Sequence, residues 1–311
     1  MRNKFVWFIF ALFRVLLYYL IFFASQIAAL FLCTIFHIDY NVFEGTVMLI
    51  SSVIVIPLMI LCVLMEKNIA SYEKKIGVLS DVDWCSGKIV KLRKLTTDEV
   101  LYVIVIAFGL LGIVTLYFVF FNLIAEAFNS KTVETAISDY EQTMDRYSVV
   151  DQSVVPMWDH LFNYFNVVFL VPIAEELMFR GLLFGTMKRR LPFWGAALLS
   201  ALIFGIGHWQ PMQIGYALIA GFVLCVTYYY TDSLLGSIIV HGIFNLIGGA
   251  LSSAPIDFPD SASVFNAILD GSATAEMCAI VPALVILFIL IKRGRRVNAI
   301  DKEAAESVEE T

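Results

Sequence analysis

Charged side chains are scarce in this sequence. They make up 15% of its 311 residues while 60% are hydrophobic, against about 25% and 45–50% in an average soluble protein. A water-soluble domain of this length could not hide that much apolar surface. Basic clusters interleaved with aromatics are lacking outside the flanks of the apolar runs, and the net charge is −6, so nucleic acid is excluded as a partner. Cysteines are few, odd in number and scattered at Cys33, Cys62, Cys85, Cys225 and Cys278 with no CxxC pair. They read as buried free thiols, which excludes both a disulfide framework and a thiolate zinc site. There is no HExxH motif and no internal repeat between the two halves.

Long apolar runs are what the chain does have. The mean hydropathy is +0.83, and runs of about 18 or more apolar residues read as bilayer spans. Eight are expected: Val15 to Phe36, Thr46 to Met65, Val100 to Leu123, His160 to Met187, Pro192 to Trp209, Met212 to Tyr230, Leu234 to Leu251 and Thr274 to Ile291. The first could begin at Phe5, with Arg14 inside it. Its length and the lack of a small-residue cleavage site argue against a cleavable leader. The expected fold is therefore all-α, a polytopic transmembrane helical bundle of about eight spans.

Cations set the expected orientation, because short cytoplasmic loops are enriched in Lys and Arg. With the N-terminus inside, every one of the 21 cations except Lys131, Arg146 and Arg180 falls on the cytoplasmic side. Both termini are then cytoplasmic, and Arg180 is the cation left within a span. Ala125 to Pro156 becomes an acidic outer connector, and Tyr228-Tyr229-Tyr230 reads as an interfacial aromatic belt. Asp301 to Thr311 reads as a disordered acidic tail. Such a protein belongs in a membrane, with the lipid bilayer as its partner, and its short loops suit a bacterial cytoplasmic membrane.

Against that background the ionisable groups within the second half stand out. A charged side chain near the bilayer centre costs about 2.5–3.5 kcal/mol or more on insertion scales, so it carries a functional reading by default. Glu175, Glu176 and Arg180 lie on the fourth span, His208 on the fifth, and His241 with Asn245 on the seventh. Glu176 and Arg180 are i,i+4 and can pair on one face. Glu175 projects about 100° away from Glu176 and is left without a cation. His241 and Asn245 are again i,i+4. Counting outward from the turn at Arg189, Glu175 and His208 differ in depth by only about 7–8 Å at 1.5 Å per residue. Convergence on one cavity is geometrically allowed.

Two carboxylates, two histidines and an amide can hydrolyse a peptide bond. A base takes a proton from water, a partner orients it or protonates the leaving amine, and N–H donors hold the oxyanion. A metal version also works on paper, because two histidines and a glutamate can hold a catalytic zinc ion with the second glutamate as base. His37 and His160 sit at outer interfaces and read as solvated aromatics. Gly181, Gly205, Gly207, Gly236 and Gly242 read as close-packing positions.

Three motifs follow in order on the fourth, fifth and seventh spans: EExxxR from Glu175 to Arg180, FxxxH from Phe204 to His208, and HxxxN from His241 to Asn245. Together they resemble the CPBP group of intramembrane proteases, which includes the type II CAAX prenyl endopeptidases and the bacterial bacteriocin-immunity (Abi) proteins. The resemblance implies that Glu175 and His208 activate the attacking water. It implies that His241 and Asn245 stabilise the oxyanion, while Glu176, Arg180 and Phe204 support the site. It leaves the cofactor open between none and a divalent metal such as zinc on Glu175, His208 and His241; the metal-free version fits these residues as well.

The expected organisation is a three-span N-terminal region over residues 1–157, a protease-like core over 158–251, and a last span with a charged tail over 252–311. The expected activity is intramembrane endopeptidase action on a membrane-associated or lipidated peptide or protein. The alternatives are a proton- or ion-coupled transporter using the same relay, or a non-catalytic immunity or scaffold protein of the same fold.

Overall fold

A computed structural model describes residues 2–40, 42–77, 90–145, 155–251 and 271–293. Cys85, Lys88, Arg146, and everything from residue 294 on, including the acidic tail, lie outside the described residues. Among the described residues the secondary structure is helical, apart from one isolated bridge between Leu92 and Ser233. The helices are α1 (Arg2–Ile35), α2 (Glu44–Lys75), α3 (Thr97–Phe128), α4 (Lys131–Asp145), α5 (157–188), α6 (Phe193–Ile206), α7 (Pro211–Thr231), α8 (Leu234–Asn245, continued by a π turn over Leu246–Leu251) and α9 (Gly271–Arg293). Of these, α1, α2, α3, α7 and α9 are long and apolar enough to cross a membrane. The protein is an integral, multi-pass membrane protein.

The outer surface has the character that lipid requires. Phe5, Phe13, Leu16, Leu20, Ile27 and Phe31 along α1 are exposed, as are Phe120 and Leu123 of α3 and Val281 and Phe288 of α9. An apolar patch of that extent is foreign to a soluble monomer. The expected fifth span reached Trp209, but α6 stops at Ile206 after 14 residues. At 1.5 Å per residue it covers about 21 Å, less than the ~30 Å hydrocarbon core. His208 therefore stands in the turn beyond a helix end.

Local sequence explains how the bundle is pinned. Thr96 opens α3 with a capping box, its hydroxyl accepting from the Glu99 N–H while the Glu99 carboxylate accepts from the Thr96 N–H. Buried Asp159 of α5 caps α2, accepting from the Gly45 N–H at 2.9 Å and the Thr46 N–H at 2.8 Å. A Cβ on Gly45 would lie 2.1 Å from the Asp159 carbonyl oxygen, so only glycine lets α2 begin there. At α3 and α9, a Cβ on Gly109 would lie 2.3 Å from that of Ala283, which sets the closeness of that pair.

Two expectations are corrected and one is refined. Arg14 and Arg189, read as cytoplasmic-side cations, are buried in ion pairs. Arg14 of α1 is buried and pairs with Glu66 at 3.2 Å and Glu73 at 2.8 Å on α2, and Arg189, just past α5, pairs with Glu66 at 3.0 Å. This two-plus-two quartet ties α1 and α2 to the end of α5, and Arg180 is not alone as a buried cation. Nor is the tyrosine run an interfacial belt. Tyr228 is buried, its hydroxyl accepts from the Lys91 N–H at 3.3 Å, and Tyr229 packs on Phe184 and Phe193. Among the thiols, Cys33 and Cys225 are buried and Cys62 half-buried, but Cys278 is exposed, and none of these four is in a disulfide. The connector after α3 contains the helix α4, which packs on α3 and α7 with its Tyr140 hydroxyl 3.4 Å from that of Tyr216.

Candidate functional site

The site is built on an irregular helix. Within α5, α-helical turns over Met157–Phe165, Val171–Glu176 and Gly185–Lys188 alternate with π turns over Asn166–Leu170 and Leu177–Phe184. Pro172 supplies a cause for the first π turn, because proline has no N–H to give a carbonyl one turn back. The Val171 N–H bonds to the Asn166 carbonyl five residues earlier. That shift hands the Val167 carbonyl to residue 172, which has no donor. Asn245 of α8 fills the gap, its side-chain amide donating to the Val167 oxygen at 2.9 Å. π turns of this kind recur at functional sites, and here one sits a single turn before the two glutamates.

Between these π turns stand Glu175 and Glu176. Glu176 is fully buried and accepts from the Arg180 guanidinium at 2.7 Å, the i,i+4 pair read from the sequence. The same carboxylate oxygen is 2.9 Å from His241 Nδ1. With Nδ1–H donating to Glu176, the imidazole turns Nε2 toward Glu175, 3.6 Å from its carboxylate. Glu175, which lacked a cation in the sequence, thus faces a histidine. Gly242 makes this approach possible: a Cβ there would lie 2.8 Å from the Val168 carbonyl oxygen, so a larger residue would push α8 and His241 off α5.

Phe204 of α6 joins the parts. The Arg180 guanidinium lies over its ring at 4.4 Å, a cation–π contact worth about 0.5–2 kcal/mol in such settings. The imidazoles of His208 and His241 meet the same ring edge-on at 4.7 and 5.9 Å. His208 is steered by its Nδ1, 2.8 Å from the Phe204 carbonyl oxygen, which leaves Nε2 for the site. Trp209 next to it has φ +62°, and Gln210 caps α7 by accepting from the Met212 N–H. This tight reversal holds His208 at the helix end.

Two spaces meet at Phe204 and His208. On one side a cleft of about 290 Å³ is lined by Glu175, Met178, Phe179 and Trp209, and by Tyr19, Phe22, Phe23 and Gln26 of α1. On the other a cavity of about 60 Å³ is lined by His208, His241 and Asn245 together with Gln213 and Tyr216. All seven residues singled out in the sequence come together around this partition. The sequence reading missed the α1 wall. Its signal was available as an i, i+3, i+4, i+7 stripe of Tyr19, Phe22, Phe23 and Gln26, with a polar group at each end, in a mostly apolar helix.

Among the described residues, no group of three His, Cys, Asp or Glu side chains is arranged to hold a metal ion. His241 meets Glu176 through Nδ1 and turns Nε2 toward Glu175 at 3.6 Å, and Glu175 and His208 line the same cleft. The donors named for zinc are thus present in kind, and no step below passes through a metal.

With this geometry in place, comparisons with known proteins are informative. Residues 157–247 match the family described as Rce1-like, type II CAAX prenyl endopeptidase. The match spans α5 to α8 up to residue 247 and includes all seven residues. UPF0177 protein YxdF of Lactococcus lactis subsp. lactis (strain IL1403) is 32% identical over 85 residues, 26% of this chain and 45% of that protein. The chain therefore spans less than half the length of this curated relative. No solved structure matches the chain. The three motifs and the match to a protease family thus fall on the same segment, less than a third of the chain.

Proposed function

We propose that this protein is an intramembrane endopeptidase that hydrolyses a peptide bond of a membrane-associated or lipidated peptide or protein. The observation that carries the reading is Glu175: a carboxylate at the edge of an apolar cleft, its partner a histidine whose other nitrogen is held by a buried glutamate.

In this reading Glu175 and His208 hold the water, and Glu175 takes its proton as the oxygen attacks the scissile carbonyl carbon. The developing oxyanion turns toward the Asn245 amide, whose second N–H is not used by Val167, and toward His241, which donates to it when Nε2 as well as Nδ1 carries a proton. As the C–N bond breaks, the proton passes from Glu175 to the leaving amine. Glu176 and Arg180 neither give nor take a proton; they fix the His241 ring and neutralise each other. A divalent metal on Glu175, His208 and His241 is the competing proposal, checked by metal analysis of the purified protein. The cation distribution supports cytoplasmic termini and cleavage near the cytoplasmic surface.

The test is a comparison of peptide termini in membranes from cells producing the wild type or Glu175→Ala at equal levels. New termini that require Glu175 are expected. Identical terminal peptides in both would overturn the reading, and unchanged cell protection by Glu175→Ala would favour the non-catalytic immunity role.

A further inference from the structure

The family match begins at residue 157, yet the cleft beside Glu175 has a wall from α1. One residue on that wall does more than line it. Tyr19 is half-buried, and its hydroxyl donates to the Ile203 carbonyl at 2.7 Å. Ile203 is in the last turn of α6, and its carbonyl is also the acceptor for the Gly207 N–H at 3.1 Å. That N–H belongs to the residue immediately before His208. At Gly207 a Cβ would lie only 2.6 Å from the Tyr19 oxygen, so the hydroxyl sits against the backbone of the turn that carries the histidine. The Tyr19 ring meets Phe179 edge-on at 6.1 Å, and Phe179 meets Phe204 at 4.9 Å, which fixes the tyrosine from its other side.

We infer that Tyr19 is a positioning residue for His208: its hydroxyl clamps the end of α6 so that His208 keeps its imidazole in the cleft that Glu175 also lines. The reason lies in the shortness of α6. The Ile203 carbonyl accepts the Gly207 N–H at the very end of the helix, and the Tyr19 hydroxyl ties that same oxygen to α1. The turn that follows starts at Gly207 and passes through a left-handed Trp209, so its path follows from where the end of α6 is held. His208 is held to this turn by its contacts with Phe204, so it moves as the turn moves. Tyr19 in turn is held in register by Arg14, five residues earlier on α1, through the ion pairs with Glu66 and Glu73. The first two helices are therefore part of the site. A displacement of about 1 Å in a group of this kind can lower a rate by about a hundredfold.

This inference rests on the hydrolase reading only for its consequence in rate; the clamp itself can be read without a substrate. The full chain, labelled with [13C-ε1]histidine and placed in lipid nanodiscs, contains four histidines, and the His208 resonance is identified by its loss in His208→Gln. Tyr19→Phe keeps the ring and removes only the hydroxyl. The expected result is a shifted His208 resonance with the His241 resonance unmoved, together with at least a tenfold slower release of the Glu175-dependent peptides. Gly207→Ala, which displaces the hydroxyl while leaving tyrosine in place, is expected to move the same resonance and serves if Tyr19→Phe does not fold. An unchanged His208 resonance in both variants would overturn the clamp. A moved resonance with no Glu175-dependent peptides would leave the clamp standing and remove the hydrolase reading instead.

Discussion

The Asn245 side-chain amide donates to the Val167 carbonyl at 2.9 Å, at the place where Pro172 leaves that carbonyl without a partner in its own helix. Asn245 thus has a structural duty on α5 in addition to any role toward an oxyanion. A buried carbonyl left unpaired costs about 1–3 kcal/mol. Asn245→Ala is therefore expected to lower stability by that amount. In a Pro172→Ala background, where residue 172 regains an N–H, the loss should shrink. Unfolding titrations of the four members of this cycle in mixed micelles check it, and equal losses in both backgrounds would refute the assignment.

The two neighbouring glutamates should separate cleanly. Glu176→Gln leaves the Arg180 guanidinium buried without its countercharge, and removing one partner of a buried pair typically costs about 3–5 kcal/mol. Glu175→Gln, at the cleft edge, is expected to change stability by less than about 1 kcal/mol yet abolish peptide release. Melting curves beside terminal-peptide profiles for the two variants give the comparison.

Gly242→Ala places a methyl group 2.8 Å from the Val168 carbonyl oxygen. Backbone on one side and helix on the other cannot both stay in place. The expected outcome is α8 shifted outward, the His241 to Glu176 hydrogen bond lengthened, and peptide release reduced at least tenfold with the protein still folded. The His241 resonance in labelled protein reports the shift directly.

The Arg14, Glu66, Glu73 and Arg189 quartet predicts a stability effect far from the chemistry. Arg14→Leu should cost about 3–5 kcal/mol by leaving Arg189 as the one cation of the quartet against two buried carboxylates. Because the groups are buried, raising salt from 0.1 to about 1 M should not reproduce the loss, as it would for a surface pair. Unfolding measurements at both salt concentrations distinguish the two.

Much of the site was legible because helical spacing alone brings residues four apart onto one face. That rule gave Glu176 with Arg180 and Phe204 with His208, and both are in contact. For His241 with Asn245 it gave a shared face but not the use each makes of it: the imidazole turns to the glutamates, while the amide turns back to Val167. The loss of regular α-helical register around Pro172 decided this, and periodicity does not carry it. Likewise Arg14 looked like an N-terminal cation because its partners, Glu66 and Glu73, lie on another helix.

By itself the sequence determined a membrane-embedded, all-helical chain with a rare set of ionisable groups on three apolar segments of its second half, since composition and i,i+4 spacing are properties of the chain alone. The tertiary structure decided which groups meet across helices: that Glu175 faces His241, that Phe204 lies between Arg180 and both histidines, and that α1 reaches the site through Tyr19. Those pairings depend on interhelical distances of a few ångströms, set by glycines such as Gly242 and by the early end of α6. No local pattern encodes them.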